Sequence, residues 1–246
     1  MNKYTKTLLQ ERRHGIILKT MKYTDAHCHI TTPLCPPDII GRICNATTEV
    51  DWQKLTEIAN KQTHICIGIH PWHIQTAVNG WDDRMRKILQ SNPHVMVGEI
   101  GLDKYYLDID RQIDFFTKQL RIAIELNRPV HLHIVGTWDK ILHILKNHKN
   151  LPLIVVHAFN GNNDIMGALA EYNAYFSYKL QNSHISDTAR TTPIDKILVE
   201  SDCDTCAEQI QILTATTQEI AKMRCTPAKE LNEQINKNFQ RVINYA

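Results

Sequence analysis

The sequence predicts a single-domain α/β fold, a (β/α)8 TIM barrel with its active site at the C-terminal ends of the strands, and three observations carry that expectation. Apolar runs of strand length alternate with amphipathic stretches of helix length almost to the end of the chain, the pattern of repeated β-α units on a parallel sheet. Eight such units are present in 246 residues, close to the roughly 250 usual for a closed barrel. Five short stretches place metal-binding side chains at or just after a strand run: Asp25-Ala26-His27-Cys28-His29, Gly98-Glu99, His131-Leu132-His133, Val156-His157 and Glu200-Ser201-Asp202. In a parallel barrel all five open onto one mouth.

Strands are expected over 23–27, 41–46, 65–69, 95–98, 130–133, 153–156, 174–177 and 197–200. Between the fourth and fifth, Ile109, Ile113, Phe116, Leu120 and Ala123 recur every three or four residues, which puts them on one face of a helix. That helix should end at Asn127, because Pro129 disfavours helical geometry at Arg128 before it. After the eighth strand, Thr226 is a candidate N-cap with Pro227 at the first helical position, opening a helix that carries Leu231, Ile235, Phe239 and Val242. No low-complexity tract, solenoid-length repeat or Gly/Ser-rich linker divides 21–246, so these residues are expected to form one barrel domain. Residues 1–20 are expected to be a peripheral extension. Their Lys3, Lys6, Arg12, Arg13 and Lys19 accompany an apolar stretch, 15–18, too short for a signal segment, and Met21 would itself serve as a start.

Composition narrows the function. An apolar share of 43% with 22% charged residues belongs to a soluble domain with a core. A net charge of +2 lacks the basic surplus of a protein that wraps along duplex nucleic acid. No stretch approaches a membrane span, and no obligate protein partner is implied. Seven Cys, an odd set without framework spacing, point to free thiols and a cytoplasmic, reducing location, Cys203 and Cys206 included despite their redox-like spacing.

Side chains alternate along a strand, so His27 and His29 point the same way, into the mouth. The same parity pairs His131 with His133 and Glu200 with Asp202, the later of each pair lying nearer the mouth. His133 and Asp202 are therefore the expected ligands, with His131 and Glu200 a layer deeper. Imidazole and carboxylate together suit zinc, manganese, iron, nickel or cobalt, whereas a calcium site would want oxygen throughout. His27, His29, Glu99, His133, His157 and Asp202 exceed what one tetrahedral ion with an open position needs, which points to two ions bridged by a carboxylate. Glu99 is the natural bridge. Such a pair acidifies a bound water and clamps charge on a phosphoryl or carbonyl oxygen, and Asp202 is suited both to ligate and to take the proton.

Asp25-Ala26-His27-Cys28-His29, Gly68-Ile69-His70-Pro71, Gly98-Glu99-Ile100-Gly101-Leu102-Asp103, Pro129-Val130-His131-Leu132-His133, His157-Ala158-Phe159-Asn160-Gly161 and Leu198-Val199-Glu200-Ser201-Asp202 resemble, in order, the motifs of the TatD-type metal-dependent deoxyribonucleases. The resemblance runs from about Tyr23 to Phe239 and includes Gln112, Phe115, Gln119, Leu120, Ala123 and Asn238. It implies a barrel metallohydrolase of the amidohydrolase-like group that cuts DNA from a 3′ end with two divalent ions, magnesium, manganese or zinc. It also implies His27, His29, Glu99 and Asp202 as ligands of one ion, Glu99, His133 and His157 as ligands of the other, and His70 facing the substrate phosphate. Asp202 and Glu99 are the expected catalytic residues, supported from behind by Asp25, His131 and Glu200.

Two positions depart from the family pattern. Val135 stands where an Arg is usual, and Asp204 where a Pro is usual. The Arg would help hold a phosphate, and an extra carboxylate at the mouth would repel one. The same metals would then serve an amide, a lactone or a small phosphoester, and a metal-occupied barrel acting as a non-catalytic accessory module is a third reading. Trp72 and His73 are candidates for the mouth lining or for packing, and Phe159 and Asn160 for contact with a base or sugar, although an aromatic just after a strand is usually core.

Overall fold

The computed structural model describes residues 21–106 and 108–245; the expected extension over 1–20 lies outside them. Eight strands, β1 (Tyr23–Cys28), β2 (Ile39–Asn45), β3 (Thr63–Ile67), β4 (Met96–Asp103), β5 (Val130–Val135), β6 (Ile154–Val156), β7 (Ala174–Tyr178) and β8 (Ile197–Val199), form one sheet in which each lies parallel to the next in sequence. Helices α1 (Glu49–Ile58), α2 (Trp81–Ser91), α3 (Ile109–Glu125), α4 (Trp138–Lys146) and α5 (Asn163–Ala170) fill the links from β2 to β7. A short 3-10 turn, Asp187–Arg190, stands between β7 and β8, and α6 (Gln209–Met223) and α7 (Ala228–Ile243) complete the ring. Among the described residues no helix is long and apolar enough to cross a membrane.

The sheet closes beyond the end of β8. Asp202 N–H donates to the His27 carbonyl at 2.9 Å and His29 N–H to the Cys203 carbonyl at 2.8 Å, so the last strand meets the first through residues among the expected metal ligands. Strands enclosed by helices are buried on both faces, which is why β4 is buried along its whole length and why such runs read as continuously apolar. Around the sheet, Trp81 of α2 stacks on Phe115 of α3 with ring centroids 5.0 Å apart. Phe239 and Val242 of α7 join a second apolar cluster with Ile43, Val155 and Leu198.

Most strand ends shift by one or two residues from the expectation, and three boundaries have a physical reason. The fourth strand continues from Gly98 to Asp103, because Ile100 to Asp103 pair with Leu132 to Val135 of β5; Glu99 thus sits inside a strand, not after one. α3 stops at Glu125, and Asn127 turns the chain with φ 50° before Pro129. α7 starts one residue later than expected, with Pro227 in extended geometry (φ −58°, ψ 131°) at the cap. The inner face of α3 is also less apolar than its spacing predicts: Ile109 and Ile113 are only partly buried, whereas Gln112 and Gln119 are enclosed. Both glutamines are satisfied by backbone. Gln119 accepts from Ile69 N–H at 2.7 Å and donates to its carbonyl at 3.1 Å; Gln112 treats Asp103 in the same way at 2.8 and 3.1 Å. Helix α3 therefore clamps the two backbone segments that carry His70 and Asp103.

Candidate metal centre

Glu99 is the hub of the mouth. Its Oε2 lies 3.3 Å from His27 Nε2 and 3.4 Å from His29 Nε2. Its Oε1 lies 2.9 Å from His133 Nδ1, 3.4 Å from His157 Nε2 and 3.5 Å from His70 Nε2. Asp202 closes the first side, with Oδ1 3.5 Å from His29 Nε2. This convergence depends on β4 lying tight against β5. At Gly101, φ is 153° and a Cβ would stand 1.8 Å from the His133 carbonyl oxygen, so only glycine lets the strands approach there.

Each imidazole is aimed by a second contact. His29 donates from Nδ1 to the Asn45 carbonyl at 3.0 Å, which leaves Nε2 as its lone-pair nitrogen when neutral. His157 Nδ1 is 2.9 Å from Glu200 Oε1, and the same oxygen accepts from Ala158 N–H at 3.0 Å. Ala158 holds φ 44°, a left-handed conformation costing about 1–2 kcal/mol for a residue with a Cβ. That turn points its N–H at Glu200. Asp25, fully buried, accepts from His27 N–H at 3.2 Å, Ser201 N–H at 2.9 Å, Ser201 Oγ at 2.5 Å and Gln209 Nε2 at 2.7 Å, tying β1 to the chain beyond β8. His131 lies beneath His27, ring centroids 6.2 Å apart, entirely buried.

His70 differs in kind. Its Nδ1 accepts from Trp72 N–H at 3.2 Å, and burial lowers its pKa to about 4, so the ring is neutral with its hydrogen on Nε2. A nitrogen that carries the hydrogen is a donor, not a ligand.

Burial works against charge throughout, and the neighbours decide which groups keep it. Burial opposes the His29 imidazolium, yet Asp202 and Glu99 lift its pKa to about 9; burial opposes His157 likewise, yet Glu200 and Glu99 lift it to about 10. Burial also opposes the Glu99 anion, but His157 and His27 hold it well below the usual carboxylate range, and Asp202 is held low against burial by His29. Desolvation leaves His27 and His131 disfavoured as cations. The donor set fits a divalent cation. His27 Nε2 and His29 Nε2 stand 3.3 Å apart with Glu99 Oε2 facing both, and one proton cannot satisfy all three atoms. Two groups without His70, His27-Glu99-His157 and His27-His29-Asp202, each bring ligand atoms within 4.8 Å of one another; His70-Glu99-His133 is equally close, but its His70 nitrogen carries hydrogen.

A family model described as TatD related DNase matches residues 24–244. The chain belongs to the TatD-related DNase family. The 3'-5' ssDNA/RNA exonuclease TatD of Erwinia tasmaniensis is 24% identical over 230 residues, 84% of this chain and 89% of that protein. The uncharacterized metal-dependent hydrolase YcfH of Escherichia coli K12 is 24% identical over 255 residues, 90% of this chain and 96% of that one. The crystal structure of YjjV, a TatD homolog from Escherichia coli K12, matches with a TM-score of 0.78 at 22% identity over 91% of this chain and 98% of that chain, a likeness of fold. As a TatD family member the protein is a metal-dependent hydrolase.

This TatD-family mouth opens through a cavity of about 500 Å³ bounded by His29, His70, Trp72, His133, His157 and Asp202, with His73, Asp51 and Asp204 further out. Asp51 is already engaged, its Oδ2 accepting from Thr48 N–H at 3.0 Å and Thr48 Oγ1 at 2.8 Å. Val135 is not among the residues bounding the cavity. Trp72, 45% exposed, stacks on Tyr106, 44% exposed, with centroids 4.8 Å apart, and its Nε1 donates to Asp103 Oδ2 at 2.7 Å. The same carboxylate oxygen lies 3.3 Å from His133 Nε2. Phe159 is core, as expected, and Asn160 lies at the surface of a neighbouring cavity. Sequence reasoning missed the parts played by Asn45, Asp103, Ser201, Gln209 and Lys179. Asp103 sits inside the Gly98–Asp103 motif and had a signal; Asn45 acts through its carbonyl, which no side-chain pattern reveals.

Proposed function

We propose that the protein hydrolyses phosphodiester bonds of DNA, removing nucleotides from a 3′ end, with two divalent ions drawn from magnesium, manganese and zinc. The observation that carries this is the Glu99 carboxylate, whose two oxygens face two separate sets of imidazoles. His27, His29 and Asp202 would hold one ion on the Oε2 side, and His133 and His157 the other on the Oε1 side. Ions held there would acidify a water and neutralise the charge that develops on a phosphoryl oxygen. Asp202, partly exposed at the mouth, accepts the proton from the attacking water. His70 donates from Nε2 to a phosphate oxygen. Glu200 fixes the ring of His157, Asn45 that of His29, Asp25 locks the seam beneath them, and His131 packs below. The exposed Trp72–Tyr106 stack offers a face on which a nucleobase can lie, which favours a single-stranded substrate. Seven free thiols accord with a cytoplasmic setting.

A second reading is hydrolysis of a small amide, lactone or phosphoester. Asp204 and Asp51 bound the cavity and, among the described residues, no Lys or Arg does, which disfavours a polyanion. Incubation of the manganese-loaded protein with 3′-labelled single-stranded and duplex DNA separates the two. Nucleotide release that vanishes in Glu99→Gln supports the nuclease; intact DNA beside turnover of small esters or amides ends it.

A further inference from the structure

A second cavity, about 730 Å³, opens beside the metal cavity and shares Asp202 with it. Its walls come from the chain after β6 and the chain after β7, and they carry side-chain amides at Asn160, Asn162, Gln181 and Asn182. Among the described residues bounding the two cavities, Lys179 is the sole lysine or arginine. It follows β7 directly, its side chain is 22% exposed, and its Nζ lies 3.2 Å from Asp202 Oδ2. That pair sits on the border between the two cavities. With Asp202 31% exposed, the pair is partly open and within reach of a substrate anion.

A phosphodiester substrate brings anionic oxygens to a mouth already lined by Glu99, Asp202 and Asp204. Position 135, where the family pattern has Arg, supplies no charge, so a cationic side chain to complement the ions has to come from elsewhere. We propose that Lys179 is the phosphate-binding residue of a substrate subsite, holding the phosphate next to the scissile bond while the amide-lined cleft takes the attached nucleotide. This rests on the phosphodiester reading. The competing account is that Lys179 only positions Asp202, and the two differ in what Lys179 does to metal binding.

The test titrates inorganic phosphate into the manganese-loaded protein by calorimetry and measures Mn²⁺ affinity by chelator competition, for wild type, Lys179→Gln and Lys179→Arg. The expected result is a loss of about tenfold or more in phosphate affinity for Lys179→Gln, the scale of one charge-assisted hydrogen bond, largely restored in Lys179→Arg, with Mn²⁺ affinity unchanged. Phosphate affinity equal to wild type in Lys179→Gln overturns the proposal, as does a parallel loss of Mn²⁺ affinity, which would mark Lys179 as a positioning residue. On single-stranded DNA, Lys179→Gln should raise KM more than it lowers kcat; an unchanged KM overturns the subsite and leaves the nuclease reading standing. Lys179-dependent phosphate binding in a protein that leaves DNA intact keeps the anion site and removes the nuclease.

Discussion

Asp25→Ala is expected to lower the melting temperature of the metal-free protein at pH 7 by roughly 4–12 °C, whereas Asp25→Asn is not. Asp25 is entirely buried and accepts four hydrogen bonds across the seam between β1 and the chain beyond β8. Alanine leaves four donors unpaired at about 1–3 kcal/mol each, and a value toward the lower end, about 5–6 kcal/mol in all, suits donors able to relax. Against this, burial raises the Asp25 pKa from 3.8 to about 6, so the ionised carboxylate at pH 7 already costs about 3 kcal/mol that alanine removes. The net loss is about 2–3 kcal/mol, and a chain of this size shifts by about 2–4 °C per kcal/mol. Asparagine keeps an oxygen for the two backbone N–H groups. Its amide meets Ser201 Oγ, which can accept, and Gln209, whose Oε1 has no partner and can turn inward. It should therefore melt at or above wild type at pH 7. Because the folded state binds the Asp25 proton more tightly than the unfolded chain does, wild-type stability falls as pH rises from about 4 to 6, and the gap to asparagine should close as pH drops below about 6. Calorimetric melting in chelator supplies the numbers. An alanine variant within about 2 °C of wild type, or an asparagine variant as unstable as alanine, refutes the hydrogen-bond account.

Glu200→Gln keeps the acceptor for His157 but removes its charge, and should weaken divalent-ion binding by about 10–100-fold with little change in melting; chelator competition within about twofold of wild type would show that Glu200 does not tune His157. Val135→Arg should strengthen phosphate inhibition by about 1–3 kcal/mol if its guanidinium reaches the mouth, and an unaltered inhibition constant would show that the position lies too far out. His64, packed edge-on against Phe239 with centroids 6.0 Å apart, is held below its ordinary pKa by burial and by His94. The unfolded chain therefore takes a proton that the folded one refuses, stability falls as pH drops below about 6.5, and His64→Gln should flatten that limb of a urea-midpoint profile measured between pH 7 and 5.

Much of the architecture was legible because parallel strands enclosed by helices leave a plain signal: short apolar runs at even spacing. The convergence of His27, His29, His133, His157 and Asp202 was legible for a related reason, since strand ends in a barrel share one rim. Periodicity could not reveal where register continues. β4 runs past Gly98 because β5 offers partners there, a fact of pairing and not of the residues themselves. Nor could it anticipate the tautomer of His70, set by a backbone N–H two residues on, or the burial of Gln112 and Gln119, polar residues that satisfy backbone groups no pattern displays. Lys179 escaped because a lone lysine after a strand means nothing until the chain beyond β8 brings Asp202 beside it.

The seam described between β1 and the residues after β8 has a consequence for how the protein comes to function. His27 and His29 belong to the beginning of the sheet and Asp202 to its far end, so the pairing that unites them closes a longer loop than any pairing between neighbouring strands and is favoured late in folding. A chain whose other strands have already paired still lacks the complete ligand set of the proposed centre. On that proposal, hydrolytic competence and completion of the barrel arrive in a single event. Ions bound across that junction would draw the equilibrium toward the closed form, and the amide protons of His29 and Asp202 should be the first to exchange faster when the ions are stripped away.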